Sequence, residues 1–217
     1  MQSEAEKEEE AEVEAEVEAE AEAEAAAEAV QAPAPAPAPA PAPVPIFLQD
    51  AWAFHFHDPN DSNWNLNSYL RLADVMTIDD FWCVHTAMKK SLTRGIFFVM
   101  REHVFPCWDD KHNVDGGCIS IKVLKEDMVA CWEHLVMHLL GERLVAPSAK
   151  SGEPEETSDA WSLVNGISTS PKRYFCIIKL WLRDGSRTER WHFRLPPGYG
   201  GEVMYKSNID SIRGNGA

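Results

Sequence analysis

The sequence predicts an α+β fold, an antiparallel sheet with about three helices packed on one face. Three observations carry that prediction. Apolar residues alternate with period two through Trp52-Ala53-Phe54-His55-Phe56-His57 and again between Arg173 and Arg183, the pattern of half-buried strands. Helical spacing appears only in isolated stretches, so strands outnumber helices and do not alternate regularly with them. The strands are separated by turn clusters compatible with hairpins.

Taken in order, Trp52–His57 is the first strand, and Asp58-Pro59-Asn60-Asp61 is a turn. Residues 67–75 form the second strand. Thr77-Ile78-Asp79-Asp80 places an N-cap hydroxyl three residues before an acid, a variant of the capping box. Phe81, Val84, His85 and Met88 then fall at helical spacing, which predicts a helix over 78–90. Residues 95–101 and 118–124 are strands on either side of a Pro106–Gly117 loop. Asp127 begins a second helix with Val129, Trp132, Val136 and Leu139 on one stripe and Gly141 as its stop. Residues 161–167 and 174–182 are expected to pair across a Ser-Thr-Ser-Pro turn. A short third helix is expected over 186–194 and a last strand over 203–205.

Charge is distributed unevenly. The chain has 217 residues and a formal net charge of −15, and residues 1–31 hold thirteen Glu and one Lys. About −12 therefore falls in that segment, and about −3 remains for everything after it. Repeated Glu at i and i+4 repel one another, and the Ala-Pro run that follows favours extended polyproline II. Residues 1–44 are read as a disordered acidic tail, 45–213 as one folded domain, and 214–217 as a flexible end. A near-neutral domain does not suit sliding on a phosphate backbone, but it can hold a pocket for one nucleotide. Five scattered cysteines without a CxxC pair suit reduced thiols in the cytoplasm. No window of about eighteen apolar residues is present, and the acidic start is unlike a leader.

The chain contains eight Trp, and two of them lie in polar loops outside every apolar stripe. Trp64 sits between Asn63 and Asn65, and Trp108 precedes Asp109 and Asp110. Two readings stand for such residues. Either they cap the ends of the core, or they sandwich a planar heterocycle. Stacking on an aromatic is worth about 1–3 kcal/mol per base, with a cation–π contribution if the base is positively charged. A neighbouring carboxylate would select guanine, whose N1–H and exocyclic amine are paired donors.

Trp52-x-Phe54, Trp64, Asp80-Phe81-Trp82, Pro106-x-Trp108-acid, Gly116-Gly117, Trp132, Gly141-Glu142, Leu195-Pro196-Pro197 and Tyr205-x-Ser207 occur in this order. The ordered set resembles the translation initiation factor 4E family over about residues 46–208. The resemblance implies a curved antiparallel sheet with helices on its convex face and a pocket for the 7-methylguanosine cap of mRNA on its concave side. It implies that Trp64 and Trp108 stack on the base, and that Asp109 replaces a glutamate that reads guanine. Trp181 resembles the Trp near the N7-methyl. Lys172, Arg173 and Lys179 are the candidates for the triphosphate. Trp82, with Ile78 and Leu48 as apolar neighbours, resembles the surface that receives a scaffold of the 4G type or a 4E-binding repressor through a Tyr-x4-Leu-hydrophobic helix.

The chain also departs from the family. Aspartate is shorter than glutamate by about 1.5 Å, Cys118 stands where the family has an arginine, and Glu133-His134 replace an apolar residue and an acid. The implied function is cap binding and recruitment of mRNA to an initiation scaffold. The alternative is an adaptor with a degenerate pocket, or a repressor that competes for cap or scaffold. His134-x3-His138 has metal-pair spacing without a third ligand, and Gly198–Gly201 lacks the strand–loop–helix setting of a phosphate loop. No nucleophile–base constellation is found, so no enzyme, cofactor or metal is expected.

Overall fold

The computed structural model describes residues 44–146 and 163–215. The chain divides at Pro43, with Val44–Ala217 as one compact unit. The expectations for residues 1–43, for Trp161 and for the last two residues lie outside the described residues.

Seven strands form one antiparallel, curved sheet. They are β1 Phe47–His57, β2 Tyr69–Thr77, β3 Ile96–Arg101, β4 Gly117–Leu124, β5 Val164–Pro171, β6 Phe175–Leu182 and β7 Val203–Ser207. Their order across the sheet is β2-β1-β3-β5-β6-β4-β7. Among the described residues, three α-helices accompany them: α1 Ile78–Met88, α2 Met128–Leu140 and α3 Asn208–Asn215. The expected capping box is present on α1, where the Thr77 hydroxyl accepts from the Asp80 amide and the Asp80 carboxylate accepts from the Thr77 amide.

Alternation sorts the strand side chains between two faces. Trp52, Phe54, Val99, Ile119, Ile121, Ile167, Ile178 and Leu180 face the helices, where they meet Phe81 and Met88 of α1 and Met128, Trp132, Leu135, Val136 and Leu139 of α2. Each such side chain contributes about 1.5–3 kcal/mol by leaving water. A second cluster, Ile96, Phe98, Met100, Val104, Cys118 and Trp181, lies apart from the first, with Tyr69 and Trp108 packed against it.

Two expectations need correction. Ser168-Thr169-Ser170-Pro171 continues β5 between β3 and β6, and the turn is Lys172–Tyr174. Ladder bonds on both sides outweigh the turn-like composition. Residues 186–194 form no α-helix, only a 3-10 turn at Arg190–His192, because this stretch has no apolar stripe. The third helix lies instead at the C-terminus, where the Ser207 hydroxyl accepts from the Asp210 amide (3.1 Å) in a second capping arrangement.

Candidate functional site

The loop between β1 and β2 carries Trp64. Its sequence, Asp58-Pro-Asn-Asp-Ser-Asn-Trp-Asn-Leu-Asn67, turns Asx chemistry into a scaffold. The side-chain oxygens of Asp58, Asp61, Asn63 and Asn65 accept from the amides of Asn60 (2.9 Å), Asn63 (2.8 Å), Asn65 (3.2 Å) and Asn67 (3.1 Å). The indole of Trp64 remains 53% exposed. It stacks on the buried His57 ring at 3.8 Å and 5° between planes, and Tyr69 meets its edge.

The loop between β3 and β4 carries Trp108 and Asp109. Three buried asparagines hold it. Asn113 donates to the carbonyls of Phe105 and Cys107, both at 2.9 Å. Asn165 of β5 donates to His112 O (2.6 Å) and to Asn113 Oδ1 (2.9 Å). Asn208 of α3 donates to Asn113 O (2.7 Å). Gly116 and Gly117 end the loop where a Cβ would lie 1.9 Å from Leu182 O and 2.5 Å from Lys206 O. The double glycine thus lets β4 pass between β6 and β7.

The two acids of this loop differ in their engagement. Asp110 accepts from the His112 amide (2.9 Å) and ring Nδ1 (3.0 Å), so it is a structural member of the loop. Asp109 is exposed. Burial, and next a hydrogen bond donated to the Asp109 carboxylate, push the Cys107 thiol up to about 12. Burial, followed by the charges of Cys107 and Asp109, raises the Tyr69 phenol.

Tyr69 links the two loops. Its ring lies 6.1 Å from Trp64, 5.1 Å from Phe105 and 5.5 Å from Phe98, and Phe98 meets Trp181 edge-on at 6.2 Å. Trp181 is only 3% exposed, and its indole N–H donates to Ser168 Oγ at 2.9 Å. It therefore lies in the floor of this aromatic cluster, not on its wall. Lys179, two residues before it on the same side of β6, places its ammonium 5.6 Å from the Trp108 ring. Lys172 and Arg173 are exposed in the β5–β6 turn. Six residues of strand, roughly 20 Å, separate Arg173 from Lys179. The structure thus brings Trp108, Trp181 and Lys179 together and leaves Lys172 and Arg173 apart. Sequence reading missed His57, Tyr69 and the three asparagines. The Asp/Asn spacing of two along 58–67 was the available signal for the first loop, and nothing local marked the other residues.

Trp82 lies on the helix side. It is 40% exposed, meets Phe81 and His85 edge-on, and stands in a surface that also exposes Ile78, Phe47 and Met76. Ile46 O accepts from the Ile78 amide (3.0 Å), which ties this end of β1 to the start of α1. Leu48 is partly buried against the core. Beside it, the buried His85 donates through Nε2 to Glu133 (2.8 Å), which accounts for the acid at that position of α2.

The Gly141-Glu142 pair also has a structural reason. Glu142 adopts a left-handed φ of 53°, and its carboxylate takes two bonds from Arg101, at 3.0 and 2.8 Å. Arg101 is buried, also donates to Asp50 (2.5 Å), and lies over Trp52 at 4.7 Å. His134 and His138 lie 4.3 Å apart with their rings tilted by 32°, and they line a cavity of about 530 Å³ with Arg190, Trp191, Arg194 and Tyr199. No group of three metal-binding side chains occurs among the described residues, and no helix there is long and apolar enough to cross a membrane.

The family model described as Eukaryotic initiation factor 4E matches residues 47–194. Among curated relatives, an initiation factor 4E homolog of Acanthamoeba polyphaga mimivirus is 23% identical, over 57% of this chain and 50% of the relative. The initiation factor NCBP of Triticum aestivum is 28% identical, over 67% of this chain and 61% of the relative. The chain spans about half the length of the curated relatives it matches. The fold is similar to that of C. elegans eIF4E-3, solved with the 4E-binding protein Mextli and a cap analog. That likeness has a TM-score of 0.63 and 18% identity, covering 78% of this chain and 96% of the other. Schistosome eIF4E, solved with m7GpppG and 4E-BP, gives a TM-score of 0.61 at 19% identity, covering 78% and 92%. With the family model spanning both tryptophan loops and five of the six strands that follow β1, the chain belongs to the eukaryotic initiation factor 4E family.

Proposed function

We propose that this chain binds the 7-methylguanosine cap of mRNA and presents it to an initiation scaffold or a 4E-binding repressor, in the cytoplasm and without catalysis. The observation that carries the reading is the convergence of two loop tryptophans on one aromatic cluster that includes Tyr69, with an exposed carboxylate and a lysine beside it. Trp64 and Trp108 stack on the cationic base, and Asp109 accepts from the guanine N1–H and amine. Trp181 closes the floor near the methyl group. Lys179 meets the triphosphate, while Lys172 and Arg173 serve phosphates farther along the RNA. Trp82, with Ile78 and Leu48, receives the partner's amphipathic helix in a groove-type interaction. The relatives solved with cap analogs and 4E-binding proteins support both halves of this reading.

The test is retention on immobilised 7-methyl-GTP, with titration by indole fluorescence. The wild type binds and elutes with free 7-methyl-GTP but not with GTP. Trp64→Ala and Trp108→Ala each weaken binding about tenfold, the loss of one stacking face. A folded wild type that passes through the column refutes cap binding and leaves the adaptor reading.

A further inference from the structure

Trp64 has an unusual problem for a binding wall. It protrudes from a loop with no buried residue between Asp58 and Leu66, and half its surface faces water. A side chain so placed would ordinarily sample several rotamers, and a ligand would have to select one. Two features of this chain remove that freedom. The run of Asx bonds fixes the backbone from Asp58 to Asn67. The last residue of β1, His57, lies flat beneath the indole and covers one of its faces.

The imidazole is itself held. It is fully buried, its Nε2 donates to Asn63 O at 3.0 Å, and Tyr69 meets its edge at 5.3 Å. Nε2 carries the proton given to Asn63 O, and Nδ1 is buried without a hydrogen-bond partner. The bond to Asn63 also ties the ring to the residue immediately before Trp64. His57 therefore grips both the side chain and the backbone of the wall.

Resting on the cap-binding reading above, we propose that His57 is a positioning residue for the cap, a third plane that holds the Trp64 indole open on one face before the base arrives. The order of the stack becomes His57, Trp64, methylated base, Trp108. Its value lies in preorganisation. The ordering of one aromatic side chain is completed during folding instead of being subtracted from binding.

The experiment measures the affinity for 7-methyl-GTP in His57→Ala, His57→Phe, Trp64→Ala and the His57→Ala/Trp64→Ala double variant, each first shown to be folded by its unfolding midpoint. His57→Ala weakens binding about three- to tenfold, as expected for the loss of one aromatic pair. His57→Phe keeps the stack without the Asn63 bond and stays within about twofold of wild type. In the Trp64→Ala background, His57→Ala adds almost nothing, since the plane has nothing left to support. Wild-type affinity in His57→Ala alongside a loss in Trp64→Ala overturns this proposal alone. An equal loss from His57→Ala with and without Trp64 also overturns it, by showing a general effect on the fold. Undiminished binding in Trp64→Ala overturns the sandwich, and the third plane with it.

Discussion

Asp109→Asn separates charge from shape at the position proposed to read the base. The two side chains are nearly isosteric, so the loop keeps its geometry. Its anchors, Asn113, Asn165 and Asn208, do not use the Asp109 carboxylate. Asparagine offers one carbonyl acceptor to two guanine donors and turns an amine toward the other. A hydrogen bond to a charged group is worth about 1.5–3 kcal/mol. Because Asp109 is exposed in the free protein, the lower end applies, which corresponds to about a tenfold loss. Asp110→Asn is the matched control. Its carboxylate is engaged by His112 within the loop, so that change should lower stability slightly and leave selectivity for 7-methyl-GTP over GTP intact. Titration of both variants with 7-methyl-GTP checks the pair. Wild-type affinity in Asp109→Asn refutes the assignment, and a larger loss in Asp110→Asn moves the reading of guanine to that acid. Asp109→Glu adds a geometric test: tolerance means that the loop leaves room for the longer acid, and a loss means that it has closed in.

Three further outcomes are expected. Arg101→Leu leaves Glu142 buried without its partner and should cost about 3–5 kcal/mol of stability, measured by urea unfolding. Burial, and secondarily the charge of Arg71, hold His55 down at about 4, so between pH 6.5 and 4 the unfolded chain takes up a proton that the folded chain refuses. Stability should therefore fall as pH drops through that window, by about 2 kcal/mol at pH 5, and His55→Phe should remove that part of the pH dependence. Trp82→Ala should weaken a synthetic peptide carrying Tyr-x4-Leu-hydrophobic at least tenfold, as a truncated interface anchor does, while the 7-methyl-GTP column still retains the protein. Unchanged peptide affinity would mean that Trp82 only packs against Phe81 and His85.

The sequence by itself determined those features whose cause lies within a few residues. The Thr77–Asp80 box announced α1 because cap and amide are three positions apart. The period-two pattern of β6 separated Cys176, Ile178 and Leu180 from Lys179 because successive side chains of a strand must point to opposite faces. Trp64 and Trp108 stood out because neither belonged to any apolar stripe. The Ser207–Asp210 capping contact was equally local, although α3 is too short and polar to show a stripe. Only the tertiary structure decided what depends on partners far along the chain. Thr169 reads as a turn residue until Phe97 and Ile178 pair with it on either side. Trp181 could not be told from an exposed wall until Phe98 and Ser168 enclosed it. Arg101, Asp50 and Glu142 are separated by 51 and 41 residues and meet only when β1, β3 and the end of α2 are packed. The same holds for the aromatic cluster, since Tyr69, which meets Trp64, joins the cluster that Trp108 packs against only after β1 has paired with both β2 and β3. Burial and long-range pairing come from the whole sheet, and no window of sequence contains them.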